Sequence, residues 1–77
     1  KVIILRMRYV PFIDATGYQS IKEIIKTYKS RKINVIISGV GTILRNDFEK
    51  NGVFAILAPD LVVEDIHEAL EKAKIHL

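Results

Sequence analysis

Two short apolar runs on either side of an amphipathic segment constrain the fold of this chain more than any other feature. The runs are Val2–Met7 and Ile33–Ser38, both rich in aliphatic residues and lacking the polar alternation of a half-exposed strand. Between them, apolar residues recur on one helical face, at Tyr18, Ile21, Ile24, Ile25 and Tyr28. Strands joined by a helix over short links predict a parallel pair with a right-handed crossover.

A second, shorter helix is expected directly after this unit, over Ile43–Lys50. Thr42 is a candidate cap for it, because a threonine oxygen can accept a hydrogen bond from the first turn. Its inward face is expected to consist of Ile43, Leu44 and Phe48. Gly52, in Asn51-Gly52, then supplies a left-handed stop.

The remaining third of the chain predicts one more strand and one more helix. Val53–Leu57 is interpreted as a third short strand, and Ala58-Pro59-Asp60 as a turn. The last helix is expected from about Glu64 to Ile75, with its inward face at Ile66, Ala69, Leu70 and Ala73. The predicted order is therefore β-α-β-α-β-α, an α/β sheet of parallel strands in a single domain.

Composition excludes several classes of protein. The chain has 77 residues, 49% of them hydrophobic, which excludes disorder and allows one small domain. It has no cysteine, so thiol catalysis and cysteine-based zinc sites are absent, and a reducing compartment is favoured. No run approaches the roughly 20 apolar residues of a membrane span. The net charge of +3 is concentrated in the first half, where it fits a solvated helix face or attraction to anionic headgroups or an acidic partner.

The tetrapeptide Asp14-Ala15-Thr16-Gly17, here called the corner, is the main candidate site. It follows a strand and the Val10-Pro11 break, so it should begin the first helix, capped by Asp14 or Thr16. Unpaired N–H groups at such a junction can face an anion or a partner protein, although ordinary capping alone would also explain the residues. Phe12 and Tyr18 beside it are candidate contact residues, with core packing as the alternative.

Other patterns carry less chemistry. Gly39-Val40-Gly41 lies between a strand and a helix like a nucleotide loop, but Leu44 occupies the position of the third fingerprint glycine, so a tight turn also explains it. No nucleophile, acid–base pair or metal cluster is evident from spacing, and a non-catalytic protein without a metal is expected. Arg6 and Arg8 alternate along the strand end and should share a face.

Four segments together resemble a STAS domain (sulfate transporter and anti-sigma factor antagonist). They are Arg6–Tyr18, Asn34–Val40, Phe48–Phe54 and Asp65–Leu70, so the likeness extends over essentially the whole chain. Within the first, Met7–Gly17 is similar to the form found in the cytoplasmic C-terminal domain of SulP-family anion transporters. The resemblance implies a STAS-like sheet of mostly parallel strands with packed helices. It also implies that residues 1–77 are the C-terminal portion of a single such domain, because the family's first strand pair and helix are not among them.

The same resemblance implies a regulatory, protein-interaction role at the cytoplasmic face of the cell membrane, as part of a sulfate or other inorganic anion transporter. The implied partners are the transmembrane domain of the same transporter, and a soluble protein or a second copy, with no nucleic acid. Weak GTP or ATP contact at Gly39, Gly41 and Thr42, or at Thr16-Gly17, is implied by the resemblance only.

A soluble anti-sigma factor antagonist is the alternative. In that branch a serine follows the aspartate and is phosphorylated, whereas Ala15 stands there in this chain and argues against it.

Overall fold

The computed structural model describes residues 1–8 and 13–75. In this part of the chain two parallel strands, β1 (Val2–Arg6) and β2 (Asn34–Ser38), are connected by the helix α1 (Ala15–Ser30). The helices α2 (Thr42–Lys50) and α3 (Ile66–Ile75) follow β2 in sequence. The predicted strand–helix–strand crossover is therefore confirmed.

Strand register divides the core into two layers. Val2 pairs with Asn34 and Arg6 with Ser38 at the two ends of the parallel ladder. Because side chains alternate along a strand, odd-numbered residues of both strands face α1 and α2, and even-numbered residues face α3. The larger layer is centred on Phe48, which is fully buried and packs edge-to-face with Tyr18, their ring centroids 5.7 Å apart. The smaller layer joins Ile36 to Ala69 of α3.

The third strand predicted at Val53–Leu57 is wrong. Gly52, with φ of 78°, turns the chain directly into a 3₁₀ turn at Val53–Ala55. Val53 and Leu57, four residues apart, are then both buried in the larger layer. A second 3₁₀ turn spans Pro59–Leu61.

Pairing with β2 occurs later, as a single parallel bridge between Val62 and Ile37. The N–H of Val63 donates to the carbonyl oxygen of Ile37 at 2.8 Å. The carbonyl oxygen of Val63 in turn accepts a hydrogen bond from the N–H of Val40 at 3.1 Å. These bonds hold the segment before α3 against the end of β2 without forming a further strand.

Arg45 of α2 holds the irregular segment in place. Its Nη1 donates to the carbonyl oxygen of Val62 at 2.6 Å, and its Nη2 donates to that of Pro59 at 2.9 Å. The guanidinium also lies 5.2 Å from the centroid of the Phe54 ring. One side chain therefore bonds two carbonyl groups of the irregular segment and ties that segment to α2.

Several details of the predicted helices are also corrected. The cap of α2 is Gly41, and Thr42 is its first helical residue. Ile43 is 81% exposed, because Leu44 and Phe48, four residues apart, define the buried face and Ile43 lies about 100° around the helix from Leu44. Ile24 of α1 and Leu70 of α3, expected inside, are partly exposed as well.

The first residue of α3 is Ile66 rather than Glu64. Asp65 precedes it and accepts a hydrogen bond through Oδ1 from the N–H of His67 at 2.6 Å. None of the helices in residues 1–8 and 13–75 is both long enough and apolar enough to cross a membrane.

Candidate functional site

The corner begins α1 in the way that the sequence predicts. Asp14 is the N-cap, and its Oδ1 accepts a hydrogen bond from the N–H of Gly17 at 2.8 Å. Thr16, the alternative cap, lies inside the first turn, and Asp14, Ala15 and Thr16 are all exposed. Gly17 lies in a tight place, because a Cβ there would lie 2.7 Å from Cγ2 of Ile13 and that side chain would have to shift.

The two aromatic contact candidates have different outcomes. Tyr18 is 3% exposed and belongs to the core, so its expected place on the contact surface is corrected. Its hydroxyl is buried and has no hydrogen-bond partner in the described part of the chain. Burial raises the pKa of this phenol, and the negative charge of Asp47 raises it further. Phe12 lies outside the described residues.

The glycine-rich turn before α2 is a backbone crossing. Gly39 has φ of 81°, and a Cβ at this position would lie 2.5 Å from the backbone nitrogen of Arg8. Gly41 has no atom within 4 Å of such a Cβ, and Thr42 after it is exposed. Gly39 therefore has a structural reason to be glycine, whereas Gly41 and Thr42 lie at an open helix start.

The starts of α1 and α2 share one edge and one face of the sheet. Both helices follow the carboxyl ends of neighbouring parallel strands, and both pack on the larger core layer through Tyr18 and Phe48. The exposed residues at these two helix starts are Asp14, Ala15 and Thr16 at α1 and Thr42 and Ile43 at α2, and we refer to them together as the recognition surface. Sequence reasoning placed Ile43 inside. The helical phase of Leu44 and Phe48 is the signal that could have identified it.

A second feature lies on the opposite face, where the ends of β1 and β2 meet the start of α3. This cleft, here called the α3 cleft, has a volume of about 560 Å³. Its lining consists of Arg6, Arg8, Ser38, Gly39, Glu64, Asp65, Ile66, His67 and Glu68. The prediction that Arg6 and Arg8 share a face is confirmed. The participation of Ser38 and the acidic residues was not predicted.

Neither surface has the geometry of a metal centre. Among residues 1–8 and 13–75, no three His, Asp or Glu side chains converge in a way that could hold a metal ion. The recognition surface combines one carboxylate, two hydroxyls and an exposed isoleucine, a set suited to contact with another molecule.

Comparison with known proteins identifies the family. A family model described as STAS domain matches residues 1–73. Prestin of Danio rerio is 32% identical over 73 residues, which are 94% of this chain and 10% of prestin.

Three solved structures share the fold. A sulfate transporter family protein from Wolinella succinogenes has a TM-score of 0.94 at 37% identity, and covers 99% of this chain. The STAS domain of a SulP transporter from Vibrio cholerae has a TM-score of 0.88 at 32% identity, and covers 96% of this chain. The murine Solute Carrier 26 family member A9 anion transporter, in its inward-facing state, has a TM-score of 0.82 at 25% identity over 96% of this chain.

The chain spans only part of each relative. It corresponds to 62% of the Wolinella succinogenes chain, 58% of the Vibrio cholerae chain and 12% of the murine transporter. The expected STAS-like α/β fold is confirmed by these matches, together with the likeness to STAS domains of SulP transporters.

Proposed function

This chain belongs to the STAS domain family, and from that premise we propose that it is the regulatory, non-catalytic domain of a SulP-type anion transporter. Its place would be the cytoplasmic face of the cell membrane, where it would contact the transmembrane domain of the same transporter. Selection of sulfate or another inorganic anion would belong to the membrane domain. A soluble protein or a second copy of the domain could use the same contact.

The observation that carries this proposal is the exposure of Ile43 at the start of α2, on the same side of the sheet as the corner. Ile43 is a large apolar side chain that is 81% exposed at a helix start, so covering it with a partner removes apolar surface from water and favours binding. At the start of α1, Asp14, Ala15 and Thr16 add small, exposed side chains on a backbone that the cap fixes. Aliphatic centres with polar rims are the usual composition of protein contacts.

The test is made in the parent transporter. We expect Ile43→Ser to change the rate of anion uptake while membrane expression and domain folding stay as in the natural protein. Ile75→Ser is the matched control, because Ile75 is an isoleucine of similar exposure, 77%, on α3. Equal uptake in both variants would contradict a regulatory contact at the recognition surface.

The soluble anti-sigma antagonist remains the second candidate function. Ala15 has no hydroxyl at the position phosphorylated in that branch, which disfavours it. Reading the coding sequence upstream separates the two proposals, because a series of hydrophobic spans supports the transporter and a short soluble leader supports the antagonist.

Weak GTP or ATP binding stays a prediction from resemblance. It would involve Thr16-Gly17 or the open helix start at Gly41 and Thr42. Titration of the chain with GTP and ATP, followed by amide chemical shifts at residues 15–18 and 39–42, would test it. Unchanged shifts at millimolar nucleotide would end the proposal.

We also propose that the parent protein supplies a further strand alongside β1, so that residues 1–77 are the C-terminal portion of the domain. Within the described residues β1 pairs only with β2. A groove of about 450 Å³ beside Leu5, Ile24 and Tyr28 is open next to β1. The longer chains of the bacterial relatives support this proposal.

Backbone bonds make the added strand testable. The carbonyl oxygen of Lys1 accepts from the N–H of Asn34, and the N–H of Met7 donates to the carbonyl oxygen of Ser38. The backbone groups of odd-numbered residues along β1 therefore face β2. The N–H groups of Ile4 and Arg6 then point to the open edge. In the 77-residue chain we expect these two to exchange with solvent faster than that of Leu5. In a longer chain with the upstream residues they should become protected, and continued fast exchange would contradict the added strand.

A further inference from the structure

The α3 cleft has a polar floor that the fold itself leaves incomplete. Arg6 and Ser38 are register partners at the ends of β1 and β2, and both are even-numbered positions on the side of α3. Ser38 is 0% exposed, and its Oγ has no hydrogen-bond partner among the described residues. Buried hydroxyl groups are nearly always paired, so an unpaired one that lines a cleft indicates a missing partner.

Positive and negative charges line the α3 cleft together. Arg6 is exposed, and no ion pair joins it to the described residues. The start of α3 brings Glu64, Asp65 and Glu68, of which Asp65 is engaged with the N–H of His67. Glu64 and Glu68 therefore remain as the carboxylates available to a ligand.

These charges select the chemistry of the ligand. A simple anion would be attracted by Arg6 but repelled by Glu64 and Glu68. A simple cation would be attracted by the two glutamates but repelled by Arg6. We propose that the α3 cleft binds a small zwitterion. Its carboxylate lies at Arg6 and accepts a hydrogen bond from the Ser38 hydroxyl, and its ammonium lies at Glu64 and Glu68. A cleft of about 560 Å³ has room for a molecule of several carbons.

The experiment adds three probes, each with four carbons, to the chain Lys1–Leu77 and compares their affinities. 4-Aminobutyrate carries both charges, butyrate only the carboxylate, and butylammonium only the ammonium. We expect 4-aminobutyrate to shift the amide signals of Ser38, Gly39 and His67. Its affinity should be about tenfold higher than that of either control, because it makes one additional charge-assisted contact. Equal affinities for 4-aminobutyrate and butyrate would indicate a plain anion site and overturn the proposal, as would no saturable shifts.

Two variants locate the ligand. Arg6→Gln and Glu64→Gln change exposed side chains, so the dispersed amide spectrum should be retained in both. Each should weaken 4-aminobutyrate binding by about tenfold. Lys26→Gln, an exposed position on α1 outside the cleft lining, is the control that should leave the affinity unchanged. Unchanged binding in both cleft variants, or an equal loss in Lys26→Gln, would overturn the assignment.

Discussion

The carboxylate of Asp14 accepts a hydrogen bond from the backbone N–H of Gly17 at 2.8 Å, and this bond fixes the start of α1. We therefore expect Asp14→Ala to lower the free energy of unfolding by about 1 kcal/mol, the usual value of an N-cap. Asp14→Asn should retain most of the stability, because an asparagine oxygen can accept the same bond. Urea denaturation measures both variants.

Thr16→Ala provides the control for this prediction. Thr16 is exposed in the first turn and is not the cap. The free energy of unfolding of Thr16→Ala should therefore stay within about 0.5 kcal/mol of that of the natural chain. A larger loss in Thr16→Ala than in Asp14→Ala would contradict the assignment of Asp14 as the cap.

Gly39 and Gly41 form a matched pair for a second prediction. Gly39→Ala places a Cβ 2.5 Å from the Arg8 backbone at φ of 81°, so we expect a loss of more than about 2 kcal/mol. Gly41→Ala meets no atom within 4 Å and should lose no more than about 1 kcal/mol, through weaker capping. Thermal denaturation of the two variants decides the matter, and similar losses in both would contradict the crossing.

Tyr18 predicts a stability change at alkaline pH. Its pKa is raised above 10.0 by burial and by Asp47, so above pH 10 the folded chain keeps a proton that the unfolded chain releases. Folding stability is therefore unaffected by this group at neutral pH and falls as the pH rises past 10, by at most about 1.4 kcal/mol per pH unit.

Tyr18→Phe tests this by removing the titrating group. Its unfolding free energy should decline less steeply above pH 10 than that of the natural chain. At neutral pH it should be equal to the natural value or higher by up to about 1 kcal/mol, because an unpaired buried hydroxyl is removed. Tyr28→Phe is the control, because it removes a half-buried phenol from the same helix and its unfolding free energy can be compared over the same pH range. Identical alkaline curves for Tyr18→Phe and the natural chain would contradict the prediction.

Arg45 predicts the cost of releasing the irregular segment. Arg45→Lys keeps the charge but replaces the two guanidinium nitrogens that bond the carbonyls of Val62 and Pro59 with one ammonium nitrogen, so we expect a loss of about 1–2 kcal/mol. Lys50→Gln, an exposed change on the same helix, should be neutral. Chemical denaturation measures both, and an equal effect of the two would mean that the guanidinium contacts add nothing.

The sequence predicted the crossover and the corner because both are determined by local rules. Apolar periodicity indicated which face of α1 is buried, and an aspartate directly before a helix commonly serves as its N-cap. By contrast, Val53–Leu57 is too short for periodicity to distinguish a strand from a helical turn, and Gly52 decided between them. Ile43 was misplaced because its exposure depends on the helical phase of Leu44 and Phe48.

The α3 cleft could not be predicted from one segment. Its lining combines residues near positions 6, 38 and 66, and only the strand register together with the placement of α3 brings these three together. Whether Ser38 finds a hydrogen-bond partner also depends on that packing. Long-range arrangement, rather than residue preference, determines this part of the molecule.

The crossing at Gly39 places the turn after β2 directly against the backbone that follows β1. Gly39 touches the backbone that leads from β1 toward the corner, and it also lines the α3 cleft. Because backbones packed this closely resist independent movement, we expect the two proposed binding events, a ligand in the cleft and a protein on the opposite face, to be coupled, and any change in affinity must then be equal in both directions. Measuring either dissociation constant with and without the other molecule would show this reciprocity, and the small domain would then act as a relay between two inputs.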